Sequence, residues 1–141
     1  MSRGMLRAAG GSDAASWRLP LVCGALALMA MLTVDDAARR LLMLLVLAPL
    51  LEEAVFRAGL QEALQRRWRP QPANAVTALA FGLAHALARA DAAAFAAALP
   101  ALLIGAVYAR TGRLRYCVAL HAAMNALWLR WSMAGGLPGI L

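Results

Sequence analysis

The stretch LLMLLVLAPLLEEAVFRAGLQEALQ, residues 41–65, decides the fold. It opens as an unbroken apolar run from Leu41 to Leu51, carries Glu52, Glu53 and Arg57 where further apolar turns would stand, and resumes to Leu64. Asp35 and Asp36 precede it, and Arg66, Arg67, Trp68, Arg69 and Pro70 close it. The spacing predicts one long helix with charge midway along it. Glu53 and Arg57 are four residues apart and share a face, where an ion pair neutralises both. Glu52 points about 100° away, beside Phe56, and needs a proton, a water or a histidine from another helix to tolerate burial.

Working outward, hydrophobic residues make up 63% of the 141, against roughly 45–50% in soluble domains. Charge is confined to short clusters between apolar runs, so the chain reads as an all-α, polytopic transmembrane helical bundle of about five spans. All fourteen basic residues are arginine and the net charge is +7. That excess would suit nucleic acid, but the arginines sit at the ends of hydrophobic stretches rather than along one face among aromatic or polar neighbours. The expected partner is therefore the lipid bilayer and not a nucleic acid. Cys23 and Cys117 lie in apolar runs without CxxC spacing, which predicts two buried small hydrophobes and no metal or redox pair.

The other apolar segments are residues 19–34, with Pro20 in the opening turn, 72–88, 92–109, with Pro100 inside as an expected kink, and 116–131. Arg3, Arg7 and Arg18 before the first segment resemble the n-region of a signal peptide, but the further spans favour a retained first helix. Arginines cluster before the first segment, after the second and after the fourth. The positive-inside rule then puts the N-terminus in the cytoplasm of a multi-pass cell inner-membrane protein. Trp68 and Trp131 fall near helix ends, where aromatic rings anchor at the interface.

Ionisable residues within a bilayer are costly, on the order of 2.5 to 3.5 kcal/mol for Asp, Lys or Arg, so each one is a functional hypothesis. The second segment carries Glu52, Glu53 and Arg57, the third His85, and the fifth His121 with Asn125. At about 1.5 Å per residue, Glu52 and His85 each lie roughly 20 Å from the inner ends of their helices, so the two are expected to be level. His121 and Asn125 are one turn apart on a single face. A desolvated carboxylate is a good general base near neutral pH, a neighbouring imidazole can orient water or pass a proton to a leaving amine, and imidazole and amide N–H groups can hold an oxyanion. Glu52 with His85, opposite His121 with Asn125, therefore supplies the parts for attack of water on an amide. No serine, threonine or cysteine sits beside a base there, which argues against a covalent nucleophile.

Three motifs in order resemble the CPBP family of intramembrane proteases, the CAAX-protease and bacteriocin-processing or Abi family, which includes the type II CAAX prenyl endopeptidases. EExxxR matches Glu52-Glu53-Ala54-Val55-Phe56-Arg57, FxxxH matches Phe81-Gly82-Leu83-Ala84-His85, and HxxxN matches His121-Ala122-Ala123-Met124-Asn125. The resemblance covers roughly residues 40–131. It implies an intramembrane endopeptidase acting on a membrane-associated protein or peptide, with Glu52 as the water-activating base assisted by His85. It further implies that His121 and Asn125 support the water or oxyanion, and that Glu53 and Arg57 support the site. Residues 1–18 then form a basic cytoplasmic segment, 19–131 the protease domain and 132–141 a short tail. Typical members of the family have more spans than this chain, which bears on the substrate surface more than on the catalytic core.

The expected reaction needs no cofactor. Glu52, His85 and His121 would nevertheless make a two-histidine, one-carboxylate set for zinc. HExxH is absent, the ligands would have to converge from three helices, and no second-shell acid is identifiable from sequence. Two non-hydrolytic alternatives stand beside the peptidase: an immunity or scaffold protein that binds a partner helix, and a proton or ion pathway. A binder has little need of four polar residues at matched depth. For His121 with Asn125, an interhelical hydrogen-bonding role is the plain alternative to catalysis, and Phe81 is read as packing.

Overall fold

The structure is a computed structural model that describes residues 14–135, with side chains from residue 18 onward. The basic segment assigned to residues 1–18 and the tail assigned to 132–141 lie largely outside the described residues. Among the described residues there are five helical rods in chain order and no strand. The first, α1, is Ala14–Ala30. The second, α2, runs over residues 36–65 without a break, although its winding changes along the way. Pro70–Arg89 is α3, and a 3₁₀ stretch Ala92–Ala97 leads into α4, Ala98–Thr111. Leu114–Met133 is α5.

The ends follow local chemistry. Asp35 accepts the Ala38 N–H at 2.8 Å and caps α2, satisfying one of the orphan donors of a first turn. Pro70 opens α3, where its missing N–H costs nothing. Gly112 ends α4 at φ 61°, the left-handed conformation a helix terminus favours. Asp91 accepts the Ala93 N–H at 2.9 Å and starts the 3₁₀ stretch.

Two boundaries differ from the sequence expectation. The first helix starts at Ala14 and ends at Ala30, so Pro20 lies well inside it rather than in its opening turn. Around Pro100 the winding changes: the 3₁₀ stretch ends at Ala97 and Pro100 falls in the first turn of α4, where no intrahelical N–H bond is due. Cys23 also departs from expectation. Pro20, Gly24 and Ala27 form the buried stripe of α1, and Cys23 lies off it, exposed, whereas Cys117 is buried as expected.

Helix α2 is the centre of the bundle and packs against α1, α3, α4 and α5. The contacts depend on small residues. A Cβ at Gly82 would stand 2.7 Å from the Phe95 carbonyl oxygen and 2.8 Å from the Ala98 Cβ, so only glycine lets α3 approach the chain this closely. Ala73, Ala78, Phe81, Ala98, Ala101, Ile104, Leu114 and Cys117 fill the core.

The distribution of polarity is inverted relative to a soluble bundle. Glu53, Arg57, Gln61 and Thr77 are 0% exposed, while Leu19, Leu26, Leu83, Leu99, Leu103 and Leu127 are more than half exposed. Apolar exteriors with polar interiors suit a lipid solvent. Among the described residues one helical stretch, Ala92–Thr111, has both the length and the apolar content to cross a bilayer, with mean hydropathy 2.0.

Candidate active site

The charged midsection of α2 sits where its winding loosens. Met43–Leu47 and Ala54–Gln61 are π-helical, with Ala48–Glu53 as α-helix between them. Such wide turns recur at functional sites, because they shift side chains around the axis without ending the helix. Pro49 gives the first one a cause. Ala48 N–H reaches back to the Met43 carbonyl, and Pro49 has no N–H to offer. The Leu44 carbonyl therefore lacks both donors a helix would present four and five residues on. Asn125 of α5 supplies the replacement, its side-chain amide donating to Leu44 O at 2.8 Å. Sequence reading did not find this bond, although a proline inside a long helix is its visible signal.

The predicted Glu53–Arg57 pair forms, with Arg57 Nε donating to Glu53 Oε2 at 2.8 Å and both side chains wholly buried. Glu53 has a second partner that sequence did not suggest: His121 Nδ1 lies 2.7 Å from its Oε1. A carboxylate accepts, so Nδ1 carries the hydrogen and Nε2 is the nitrogen left to face outward from the pair. That Nε2 is 3.6 Å from Glu52 Oε2.

Glu52 and His85 are level, as the helical rise predicted, with His85 Nε2 3.9 Å from Glu52 Oε2. His85 donates its Nδ1 hydrogen to the Phe81 carbonyl at 3.1 Å, which leaves Nε2 as the nitrogen that faces Glu52. Phe81 does more than fill space. Its ring stacks on His85 at 4.3 Å and meets His121 edge-on at 5.9 Å, so one aromatic spaces both imidazoles. The structure thus brings Glu52, Glu53, His85 and His121 into one cluster. It puts Asn125 one turn along, engaged with backbone.

Glu52 Oε2 is buried and has no hydrogen-bond partner among the protein atoms. Beside the imidazoles opens a cavity of about 390 Å³. Its polar lining is His85, Arg89, His121 and Asn125, and Ala97, Ala101, Ile104 and Trp128 are among its apolar walls. An acceptor with lone pairs to spare, two imidazole nitrogens and an apolar chamber make up the equipment for activating water on a bound amide. Among the described residues, no three His, Cys, Asp or Glu side chains are grouped to hold a metal ion. Glu53 is the acid that orients His121, a partner that could not be identified from sequence.

A family model described as type II CAAX prenyl endopeptidase Rce1-like matches residues 35–127, which takes in all three motifs and every residue of this cluster. The chain belongs to that family. Membership implies a protease, an endopeptidase of the CAAX-protease type, and a membrane-embedded fold. No curated protein and no solved structure matches the chain.

Proposed function

We propose that this Rce1-like chain is an intramembrane endopeptidase that hydrolyses a peptide bond of a membrane-associated protein or peptide with water activated by Glu52. The observation that carries the reading is Glu52 Oε2, buried and unpartnered, facing His121 Nε2 at 3.6 Å and His85 Nε2 at 3.9 Å. Glu52 takes a proton from the water as its oxygen bonds to the scissile carbonyl carbon. The proton then passes, directly or by way of His85, to the amine as the C–N bond breaks. Glu53 fixes the ring of His121 so that Nε2 addresses the reacting centre. Asn125, with one amide hydrogen held by Leu44, has a second for the oxyanion.

The inverted polarity supports five spans in a multi-pass inner-membrane arrangement. The arginine clusters support a cytoplasmic N-terminus. The apolar walls of the cavity favour an extended, largely apolar peptide segment entering from the membrane side.

The test is co-expression of the chain with a panel of membrane-tethered peptides, prenylated and unmodified, comparing wild type with Glu52→Gln at equal accumulation by mass spectrometry. A cleaved species made by wild type alone supports the peptidase. If no panel member is cut while both proteins are folded in the membrane, the binding or scaffold reading replaces it.

A further inference from the structure

Behind the reacting face lies a buried polar chain whose far end is neither charged nor part of the three motifs. Gln61 Nε2 donates to the Gly105 carbonyl of α4 at 2.8 Å, and Arg57 Nη1 donates to Gln61 Oε1 at 3.2 Å. Arg57 Nε donates to Glu53 Oε2 at 2.8 Å, and Glu53 Oε1 meets His121 Nδ1 at 2.7 Å. Glu53, Arg57 and Gln61 are each 0% exposed. Their four-residue spacing keeps all three on one face of α2, because four residues are close to one turn in α or π winding.

Each link allows only one polarity. A backbone carbonyl only accepts, so the amide nitrogen of Gln61 must face Gly105 and its oxygen must face α2. A guanidinium only donates, so Arg57 takes that oxygen on one side and Glu53 on the other. A carboxylate clamped by Arg57 accepts from His121, so the histidine must carry its hydrogen on Nδ1. We infer that Gln61 is a positioning residue: anchored on the Gly105 carbonyl, it holds Arg57 and through it the Glu53 carboxylate in place, and so fixes the ring of His121 with Nε2 towards Glu52. Gly105 is suited to the task because a Cβ there would collide with the Asn74 side-chain amide oxygen and stand 2.8 Å from Gln61 Oε1, so only glycine leaves both amides in place. Arg57 Nη2 is buried without a partner, so the guanidinium has no further acceptor to hold it if Gln61 is lost. The inference concerns the placement of the imidazole and holds whether or not the proposed hydrolysis is the reaction.

The chain has two histidines, so nitrogen-15 NMR of histidine-labelled protein in detergent micelles reads both rings, with His121→Gln assigning the signals. Wild-type His121 should carry hydrogen on Nδ1. Gln61→Met, which keeps length and removes both polar links, should release the ring from one orientation, read as shifted and broadened His121 signals for about half or more of the population. Gly105→Ala should do the same while leaving every side chain of the chain chemically intact, and it raises helix propensity rather than lowering it. Thr77→Val removes a buried hydroxyl bonded only to Ala73 O, and should leave the His121 pattern unchanged. A wild-type His121 lacking hydrogen on Nδ1 overturns the assignment. So does a wild-type pattern in either variant at wild-type helical content. Should Gln61→Met not fold, Gly105→Ala alone decides the matter by the same reading. Loss of cleavage with an unchanged His121 pattern would count against the positioning role and leave the peptidase reading standing.

Discussion

The bond between Asn125 and Leu44 can be weighed by a double-mutant cycle with Pro49. In the structure the Leu44 carbonyl is short of backbone donors because Ala48 N–H bonds Met43 and Pro49 has none, and Asn125 answers it at 2.8 Å. Asn125→Ala should therefore leave a part-buried carbonyl without its donor and cost about 1–2 kcal/mol, in the lower part of the ~1–3 kcal/mol typical of an unsatisfied buried acceptor. Pro49→Ala restores an N–H and lets the helix close over Leu44 from within. In that background Asn125→Ala should cost less by about 1–2 kcal/mol, a coupling in the range seen for directly linked residues. Packing lost on truncating the buried proline enters both arms of the cycle and cancels. The assay is equilibrium unfolding in mixed micelles under increasing denaturing detergent, followed by helical content. If the two substitutions add to within ~0.5 kcal/mol, the account of Asn125 as a replacement donor for a proline-broken turn is wrong.

The two adjacent glutamates should behave oppositely. Glu52→Gln should abolish cleavage without a marked loss of stability, since Oε2 has no hydrogen-bond partner to lose. Glu53→Leu should destabilise by about 3–5 kcal/mol, because it leaves Arg57 charged, buried and unpaired. Accumulation and thermal unfolding of both variants check this, and equal stability losses would contradict the assigned environments. Gly82→Val should cost roughly 1–3 kcal/mol or more by driving α3 off the 3₁₀ stretch and α4, read as a lowered unfolding midpoint. Hydrolysis should persist after exhaustive treatment with a chelator. Loss of activity that added zinc restores would transfer Glu52, His85 and His121 to a metal-bound mechanism.

The five helical segments, the paired charges of α2 and the level placement of Glu52 with His85 were all legible in the sequence. They follow from local rules: apolar runs set the rods, four-residue spacing sets the Glu53–Arg57 pair, and a fixed rise per residue sets depth. The partners of His121 and Asn125 were not legible. Spacing puts both on one face of α5, but whether that face meets Glu53, Glu52 or the Leu44 carbonyl depends on how far α5 is rotated and shifted against α2. Small residues fix that by letting backbones approach. The role of Gln61 was not legible for the same reason. A glutamine at the end of an apolar helix reads as surface until the Gly105 carbonyl of another helix arrives beside it.

By itself the sequence determined what this chain is made to bury and where along each rod: a Glu-Glu-Arg element, two histidines and an asparagine in an otherwise apolar molecule, with the family those motifs identify. Only the tertiary structure decided what each group answers to. Glu53 is shared between Arg57 and His121, Asn125 is turned to a carbonyl that Pro49 leaves short, and Glu52 is left with an unpartnered oxygen between two imidazoles. The reason is physical. Periodicity and rise are properties of one helix, whereas hydrogen-bond satisfaction of a buried group is a property of all the helices packed around it.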